Sequence, residues 1–140
     1  MSEHTVAHLS DLPRLQPDGP QDARWTPIRH VLGIGAFGVN AWHGEQAGDV
    51  VIEPHDEVPG DCCAGHEELY VVLEGRAGFD LDGERVDAPA GTLLAVAPHV
   101  HREAVALVED TTVLAIGAPR GEAFAAAPWE QRELTKAGLA

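Results

Sequence analysis

A histidine and a glutamate stand two positions apart in His66-Glu67-Glu68-Leu69-Tyr70, just before an apolar run. Successive side chains of a strand point to opposite faces, so in an extended segment His66, Glu68 and Tyr70 share one face. A distant His101 would complete a set of two histidines and one carboxylate. Such a set binds non-haem Fe(II) and leaves coordination positions open. We therefore take His66, Glu68 and His101 as candidate metal ligands.

The same residue types fit a purely structural role. In that interpretation His66 is a buried, hydrogen-bonded ring. Glu68 then pairs with an arginine, for which Arg76, Arg85 and Arg102 are the candidates. The short His-x-Glu pattern does not decide between a metal site and this packing role.

Two further residues are candidates for proton transfer. Tyr70 lies on the His66 face and has a hydroxyl to donate, although a core tyrosine is the more common role for such a residue. His55, in the acidic segment Pro54-His55-Asp56-Glu57, either contacts the mouth of a pocket or lies in a solvated loop. Both are second choices for general acid–base chemistry.

The chain's two cysteines, Cys62 and Cys63, are adjacent. A disulfide between neighbours is strained and closes no useful loop, so we expect reduced thiols in a reducing compartment. Cys62 is also a candidate metal ligand. A thiolate beside imidazoles favours zinc or ferrous iron over magnesium.

The elements that must position these groups are short strands. From Trp25 onward, runs rich in Val, Ile, Leu and aromatics are broken by Gly, Pro or Asp at intervals of about 8 to 12 residues, a spacing that indicates an all-β sandwich or barrel. The predicted strands are 25–32, 37–42, 49–53, 67–73, 77–81, 84–87, 92–97, 103–108 and 111–116. Asp82-Gly83 between alternating segments predicts a tight antiparallel hairpin.

The two ends of the chain differ from this middle part. Residues 1–24 are interrupted by Pro13, Pro17 and Asp18-Gly19-Pro20, and we predict an N-terminal arm there. The barrel is predicted to span residues 25–120. The last part, 121–140, is predicted to be a C-terminal helical segment, with helix over 123–127 and 129–136.

Length and charge exclude several kinds of partner. The chain of 140 residues suits one domain. Its formal net charge of −14 would repel a phosphate backbone, so nucleic acid is not an expected partner. No apolar run has the length of a membrane helix, and the first residues lack the basic and apolar regions of a signal peptide. We expect a cytoplasmic protein.

One motif is set aside. The segment Gly33-Ile34-Gly35-Ala36-Phe37-Gly38 satisfies G-x-G-x-x-G, which cradles a dinucleotide only where it follows a strand and opens a helix. The residues after it favour a strand. We interpret the segment as a glycine-rich turn between two early strands.

Two segments resemble the motifs of the cupins. The stretch from Gly60 to Gly75 resembles the first motif, G-x5-H-x-H-x3,4-E-x6-G, because Glu68 is followed by six residues and Gly75. The stretch from Gly91 to His101 resembles the second motif, G-x5-P-x-G-x2-H-x3-N. The resemblance covers about residues 48 to 118. It implies a double-stranded β-helix, or jelly-roll barrel, with three histidines and a glutamate around a divalent metal.

The sequence departs from both motifs. Counted back from Glu68, the paired histidines should fall within residues 61–64, which are Asp-Cys-Cys-Ala. In another register His66 fits, but Glu68 then takes the place of the second histidine. The second motif has His99 in place of a glycine, lacks the terminal asparagine and runs one residue short before His101.

The resemblance therefore leaves two alternatives. Either His66, Glu68 and His101 hold a divalent metal, iron or zinc, with Cys62, Cys63 or His55 as an optional fourth ligand, or the barrel has lost its metal. The first alternative implies an enzyme acting on a small organic molecule, by oxygenation or by isomerisation or cyclisation through proton transfer.

Other functions remain open. The second alternative implies a metal-free barrel that binds a small ligand or assists a partner protein. A third hypothesis is a scaffold whose arm and terminal helix make the relevant contacts. Because open barrels of this family commonly pair their edge strands, we also expect a homodimer.

Overall fold

The computed structural model describes residues 3–17 and 23–140. The strands in these residues, in chain order, are β1 (Arg24–Thr26), β2 (Gly38–Gly44), β3 (Val50–His55), β4 (His66–Glu74), β5 (Arg76–Leu81), β6 (Glu84–Pro89), β7 (Leu93–Val96), β8 (Arg102–Ala106) and β9 (Thr111–Pro119). They form a five-stranded sheet, β1-β2-β9-β4-β7, and a four-stranded sheet, β3-β8-β5-β6, with antiparallel neighbours throughout. The predicted all-β, jelly-roll class is confirmed.

Strand β4 shows which of its faces lines the barrel interior. Tyr70 and Val72 are 1% exposed and His66 is 7% exposed, whereas Leu73 is 46% exposed. The even-numbered positions of β4 therefore point inward, and Glu68 shares their face. The interior core joins both sheets through valine, alanine, Phe79 and Tyr70 side chains.

The predicted hairpin is present between β5 and β6. Leu81 pairs with Glu84 across the turn. Both turn residues have positive φ, 52° at Asp82 and 88° at Gly83. This combination is the type I′ geometry that follows the twist of the two strands, which explains why Asp-Gly was a sufficient signal.

The predicted strand 25–32 is wrong in its second half. Strand β1 ends at Thr26 because Pro27 has no backbone N–H to give to a sheet. A short helix, α1 (Ile28–Leu32), follows and ends at Gly33, whose φ of 71° favours glycine. The segment 33–38 therefore connects a helix to a strand and not two strands as predicted, whereas its interpretation as a turn that opens no helix agrees with this placement.

Of the two helical pieces predicted near the C-terminus, the second is present as α2 (Pro128–Lys136) and the first is wrong. Residues 123–127 are not helical, and Ala127 is extended with ψ of 148°. Proline disfavours helical geometry in the residue before it, while its own fixed φ suits the first helical position. Pro128 therefore sets the start of α2.

The N-terminal segment lies along the five-stranded sheet. It contains one 3₁₀ turn (Leu9–Asp11), and Leu15 exchanges two backbone hydrogen bonds with Trp25, at 2.7 and 3.0 Å. Part of the predicted arm, including Asp18-Gly19-Pro20, lies outside the described residues. Within the residues that are described, the helices are too short or too polar to cross a membrane.

Candidate functional site

One cavity of about 500 Å³ opens into the barrel. Its strand side is formed by inward-facing residues of β2, β4 and β9, among them Asn40, His66, Glu68 and Tyr70. Its other borders are the end of β3 with the following loop, the loop that carries Cys62 and Cys63, and residues 124–133. We call residues 124–133 the C-terminal cover.

Glu68 is held on the strand side by two donors. The Tyr70 hydroxyl donates to Glu68 Oε1 at 2.6 Å, and Arg102 Nη1 donates to the same oxygen at 2.8 Å. The Arg102 side chain is fully buried and also donates to the carbonyl oxygens of Val100 and Ala97. These bonds satisfy the buried guanidinium and fix the position of the carboxyl group.

His55 and Glu57 form a second pair beside Glu68. His55 Nδ1 lies 2.6 Å from the carbonyl oxygen of Glu53, and Nε2 lies 2.9 Å from Glu57 Oε2. Both ring nitrogens thus face oxygens that ordinarily accept hydrogen bonds. The pair must therefore hold a proton, either as the imidazolium or on the buried Glu57 carboxyl group. His55 Nε2 is 3.9 Å from Glu68 Oε1, so this proton lies close to Glu68.

The surroundings shift the pKa values of these groups. Burial, followed by the charge of Glu57, raises the pKa of Glu68 to about 7, against the opposing effects of Tyr70, Arg102 and His55. Burial disfavours the charged ring of His55, but its bonds to Glu57 and Glu53 and the nearby carboxylates outweigh this and raise the pKa of His55. Glu68 is therefore able to give or accept a proton near neutral pH.

A metal ion fits the same three residues. Ligand atoms of His55, Glu57 and Glu68 all lie within 4.8 Å of one another. One imidazole and two carboxylates suit a divalent ion such as manganese, iron or zinc. The adjacent Arg102 would leave the three ligands and the guanidinium with one net negative charge when the ring is neutral. That charge is compatible with a bound dication.

The predicted set of His66, Glu68 and His101 is not brought together. His66 does border the cavity, but its Nε2 donates to the carbonyl oxygen of Ala125 at 3.1 Å. His101 is exposed and does not border the cavity, and its backbone N–H donates to Asp82. The structural interpretation of His66 as a buried, bonded ring agrees with this geometry.

The position of His101 has a simple cause. Arg102 begins β8 and points inward to Glu68, so the preceding side chain points away from the interior. His101 lies one residue too early for the histidine of the second motif. The position that this histidine would occupy is Arg102, whose side chain points inward. Arg102 is the arginine that pairs with Glu68, whereas Arg76 pairs with Asp87 on the surface.

Glu57 is the site residue that sequence reasoning missed. It is 3% exposed, and its backbone N–H donates to the carbonyl oxygen of Pro98 at 2.8 Å. The available signal was the spacing His55-x-Glu57, the same pattern that singled out His66 and Glu68. His55 and Tyr70, predicted as proton-transfer groups, both border the cavity and both lie near Glu68.

The cysteines differ from the prediction of reduced thiols. Cys62 and Cys63 are joined by a disulfide, with their Cα atoms 3.8 Å apart. This is the spacing that a trans peptide bond imposes on neighbours, so the bond forms without bringing distant chain together. In this state Cys62 has no thiolate to offer a metal. Both residues border the cavity instead.

The C-terminal cover is attached to the barrel at several points. The Trp129 backbone N–H donates to the carbonyl oxygen of Cys62 at 3.3 Å, and Arg132 donates to that of Asp61 at 3.2 Å. Glu130, 3% exposed, pairs with Arg29 at 3.1 Å and accepts from Asn40 at 3.4 Å. These bonds, with the one from His66, close one side of the cavity.

Structural comparison identifies the fold. The chain is similar to a cupin protein from Bacteroides fragilis (20% identity, 90% of this chain and 92% of that one, TM-score 0.65). It is also similar to KdgF from a Halomonas species (21%, 79% and 91%, 0.61) and to a cupin-superfamily sugar phosphate isomerase from Silicibacter pomeroyi (17%, 81% and 74%, 0.64). No protein-family model matches the sequence, and no match was found among curated proteins.

The chain therefore has the fold of the cupin superfamily, as the two motif resemblances implied. Among the described residues, the site does not contain the three histidines and one glutamate that the resemblance implied as metal ligands. In the described part of the chain, the cluster able to hold a metal consists of His55, Glu57 and Glu68.

Proposed function

We propose that the protein is an enzyme that moves a proton within a small carbonyl compound bound in the barrel, as an isomerase does. One observation carries this proposal: the His55–Glu57 pair and Glu68 lie together at the wall of a cavity of about 500 Å³. The pair holds a proton, and Glu68 is a carboxyl group that exchanges one near neutral pH.

The chemistry follows from the strength of these groups. A carboxylate with a pKa of about 7 removes a carbon-bound proton only where a neighbouring carbonyl makes it acidic. In an α-hydroxy carbonyl compound, Glu68 takes the proton of the hydroxyl-bearing carbon while the His55–Glu57 pair gives its proton to the carbonyl oxygen, so that an enediol forms. Glu68 then returns its proton to the former carbonyl carbon, and the hydroxyl group on the other carbon gives its proton to the pair, which completes the isomerisation and restores both groups. Arg102 and Tyr70 position Glu68 and stabilise its charged form.

The proposal is tested by hydrogen exchange into substrate carbon. Pentoses and hexoses, both free and as their phosphate esters, are the first candidates, because the Silicibacter neighbour with this fold is a sugar phosphate isomerase. The protein is incubated with each sugar in D₂O, and loss of the proton next to the carbonyl is followed by NMR. We expect Glu68→Gln to slow exchange by about 100-fold or more. His101→Gln, at a position outside the cavity, serves as the control and should exchange at the wild-type rate.

A metal-dependent form of the enzyme is the second candidate, favoured by the 4.8 Å grouping of ligand atoms. His55, Glu57 and Glu68 would hold the ion, which when bound would polarise a substrate carbonyl. Titration with MnCl₂ or ZnCl₂ by calorimetry tests this. One equivalent should bind, and Glu57→Gln should weaken binding at least about tenfold. Unchanged binding in that variant would overturn this ligand set, and loss of binding in His66→Ala would support the set predicted from the sequence.

A further inference from the structure

All three tryptophans of the chain meet beside the cavity. Trp25 and Trp42 are cross-strand partners in β1 and β2, stacked with ring centroids 5.6 Å apart. Trp129, from the C-terminal cover, packs against both, at 5.1 and 5.4 Å. All three border the cavity; Trp25 is fully buried, whereas Trp42 and Trp129 are partly exposed. These two rings form an aromatic wall.

The charges around this wall are mostly negative. Five glutamates border the cavity, namely Glu53, Glu57, Glu68, Glu130 and Glu133. The single lysine or arginine among the described residues that border it is Arg132, which donates to the carbonyl oxygen of Asp61. Arg102 and Arg29 do not border the cavity, and each is paired with one of these glutamates. An anion entering the cavity would therefore meet more carboxylates than cations, since Arg132 and a protonated His55 stand against five glutamates.

A buried acceptor lies next to the aromatic wall. Asn40 stands two positions from Trp42 on β2, so both side chains share one face. Its Nδ2 donates to Glu130 Oε1, and its side-chain carbonyl oxygen, Oδ1, takes no part in that bond. Asn40 is 8% exposed, and its Oδ1 has no hydrogen-bond partner among the described residues. A buried acceptor without a partner is unfavourable unless a ligand supplies the donor.

We infer that the cavity binds a small ring compound that is neutral or positively charged, with its ring packed on Trp42 and Trp129. This inference rests on the proposed function only in placing the substrate in this cavity. Aromatic rings attract cations and pack well against flat rings, while the carboxylates disfavour a phosphate or carboxylate on the ligand. Among sugars, the inference selects the free compound over its phosphate ester.

Three probes of similar size test this preference for neutral or positively charged ligands, which we call the charge rule. They are 1-methylnicotinamide, with one positive charge, nicotinamide, with no charge, and nicotinate, with one negative charge. Binding to the full chain at pH 7, with EDTA to remove metal, is followed through the indole N–H resonances of the three tryptophans. We expect the Trp42 and Trp129 resonances to shift. The dissociation constant should rise in the order given, by at least about tenfold from first to last. Nicotinate binding as tightly as 1-methylnicotinamide, or none of the probes shifting these resonances, overturns the inference.

Variants separate the aromatic and the electrostatic parts. Trp129→Leu should weaken 1-methylnicotinamide at least about fivefold, since one ring of the wall is lost. Phe37→Leu, which changes an exposed aromatic outside the cavity, is its control. Glu133→Gln is a milder change in case Trp129→Leu does not fold. It should improve nicotinate relative to 1-methylnicotinamide by about twofold or more, whereas the exposed Glu109→Gln should not.

This experiment can fail separately from the proposed function. Probe binding needs no turnover, and exchange of a sugar proton needs no charge preference. Probe binding in the expected order without any proton exchange would support the binding site for ring compounds and contradict the proposed isomerase activity. Exchange with sugar phosphates preferred over free sugars would leave the enzyme and overturn the charge rule.

Discussion

The two sides of the cavity are built differently. On the strand side, Glu68 lies within a nine-residue strand, and its two donors come from β4 itself and from β8 in the facing sheet. On the opposite side, the C-terminal cover is a short helix with its preceding segment, held by backbone carbonyls and one buried ion pair. Glu68 thus lies within a paired strand, His55 and Glu57 lie at the end of β3 and in the loop after it, and the aromatic wall is completed by a peripheral helix.

The strand side therefore positions the proton-transfer groups, whereas the cover controls how a ligand enters and fits the cavity. A proton-transfer group needs a fixed position within fractions of an ångström, which strand pairing and a buried guanidinium supply. A cover with few long-range attachments opens at lower free energy than the sheets do, so a ligand is able to enter there. Substitutions on the two sides should therefore separate global stability from local opening.

Removal of the Arg102 side chain should have the largest effect. Arg102→Leu leaves Glu68 without its buried cation and frees the carbonyls of Ala97 and Val100. We expect a loss of about 3 to 5 kcal/mol in the free energy of unfolding at pH 8, measured in urea. The loss should shrink below pH 6, because a protonated Glu68 carries no uncompensated charge. Arg76→Leu, which removes an exposed pair with Asp87, is the matched control and should cost far less.

The second prediction concerns Glu68 and pH. Its pKa is raised to about 7 in the folded state, so the folded protein holds the proton more tightly than the unfolded chain. The stabilisation this gives is complete below the unfolded pKa of about 4.5 and is lost as the pH rises through 7. Relative to wild type, Glu68→Gln should therefore gain about 3 kcal/mol in the free energy of unfolding between pH 4.5 and 8.

The neighbouring Glu67 supplies the comparison for that pH series. Its side chain is half exposed on the other face of β4 and pairs with Arg120 at 2.9 Å. Denaturant unfolding of wild type, Glu68→Gln and Glu67→Gln is measured with EDTA at each pH. A pH-independent difference between wild type and Glu68→Gln would show that the two states bind this proton equally, against the prediction.

On the side of the cover, Glu130→Gln should act locally. The change removes the buried charge that pairs with Arg29, at a cost of about 1 to 2 kcal/mol. Amide hydrogen exchange should rise first in residues 124–136, before the sheets exchange. Glu122→Gln, at an exposed position just before the cover, should leave this pattern unchanged. Uniform acceleration over all strands would mean that the cover and barrel unfold as one unit.

The sequence predicted the barrel better than the site, for physical reasons. Alternation of apolar residues along β4 and the Asp82-Gly83 turn depend on local geometry, and both were predictable. The partner of Glu68 depends on which face Arg102 takes in a strand that begins at that residue. One position of register decides between Arg102 and His101, and pattern reasoning locates boundaries less finely than that. Glu57 was missed because the sequence around it is typical of a solvated acidic loop. Its burial depends on tertiary packing, which the local sequence does not show.

The cysteine pair should have the smallest effect on stability, although it borders the cover. Its disulfide closes a loop of two adjacent residues, so it removes little entropy from the unfolded chain. We expect Cys62→Ala/Cys63→Ala to change the free energy of unfolding by less than about 1 kcal/mol. Protein denatured without reductant should show no thiol reactive with Ellman's reagent, and two after reduction, since the chain has two cysteines. Two reactive thiols before reduction would return the pair to the reduced state predicted from the sequence and make Cys62 available to a metal again.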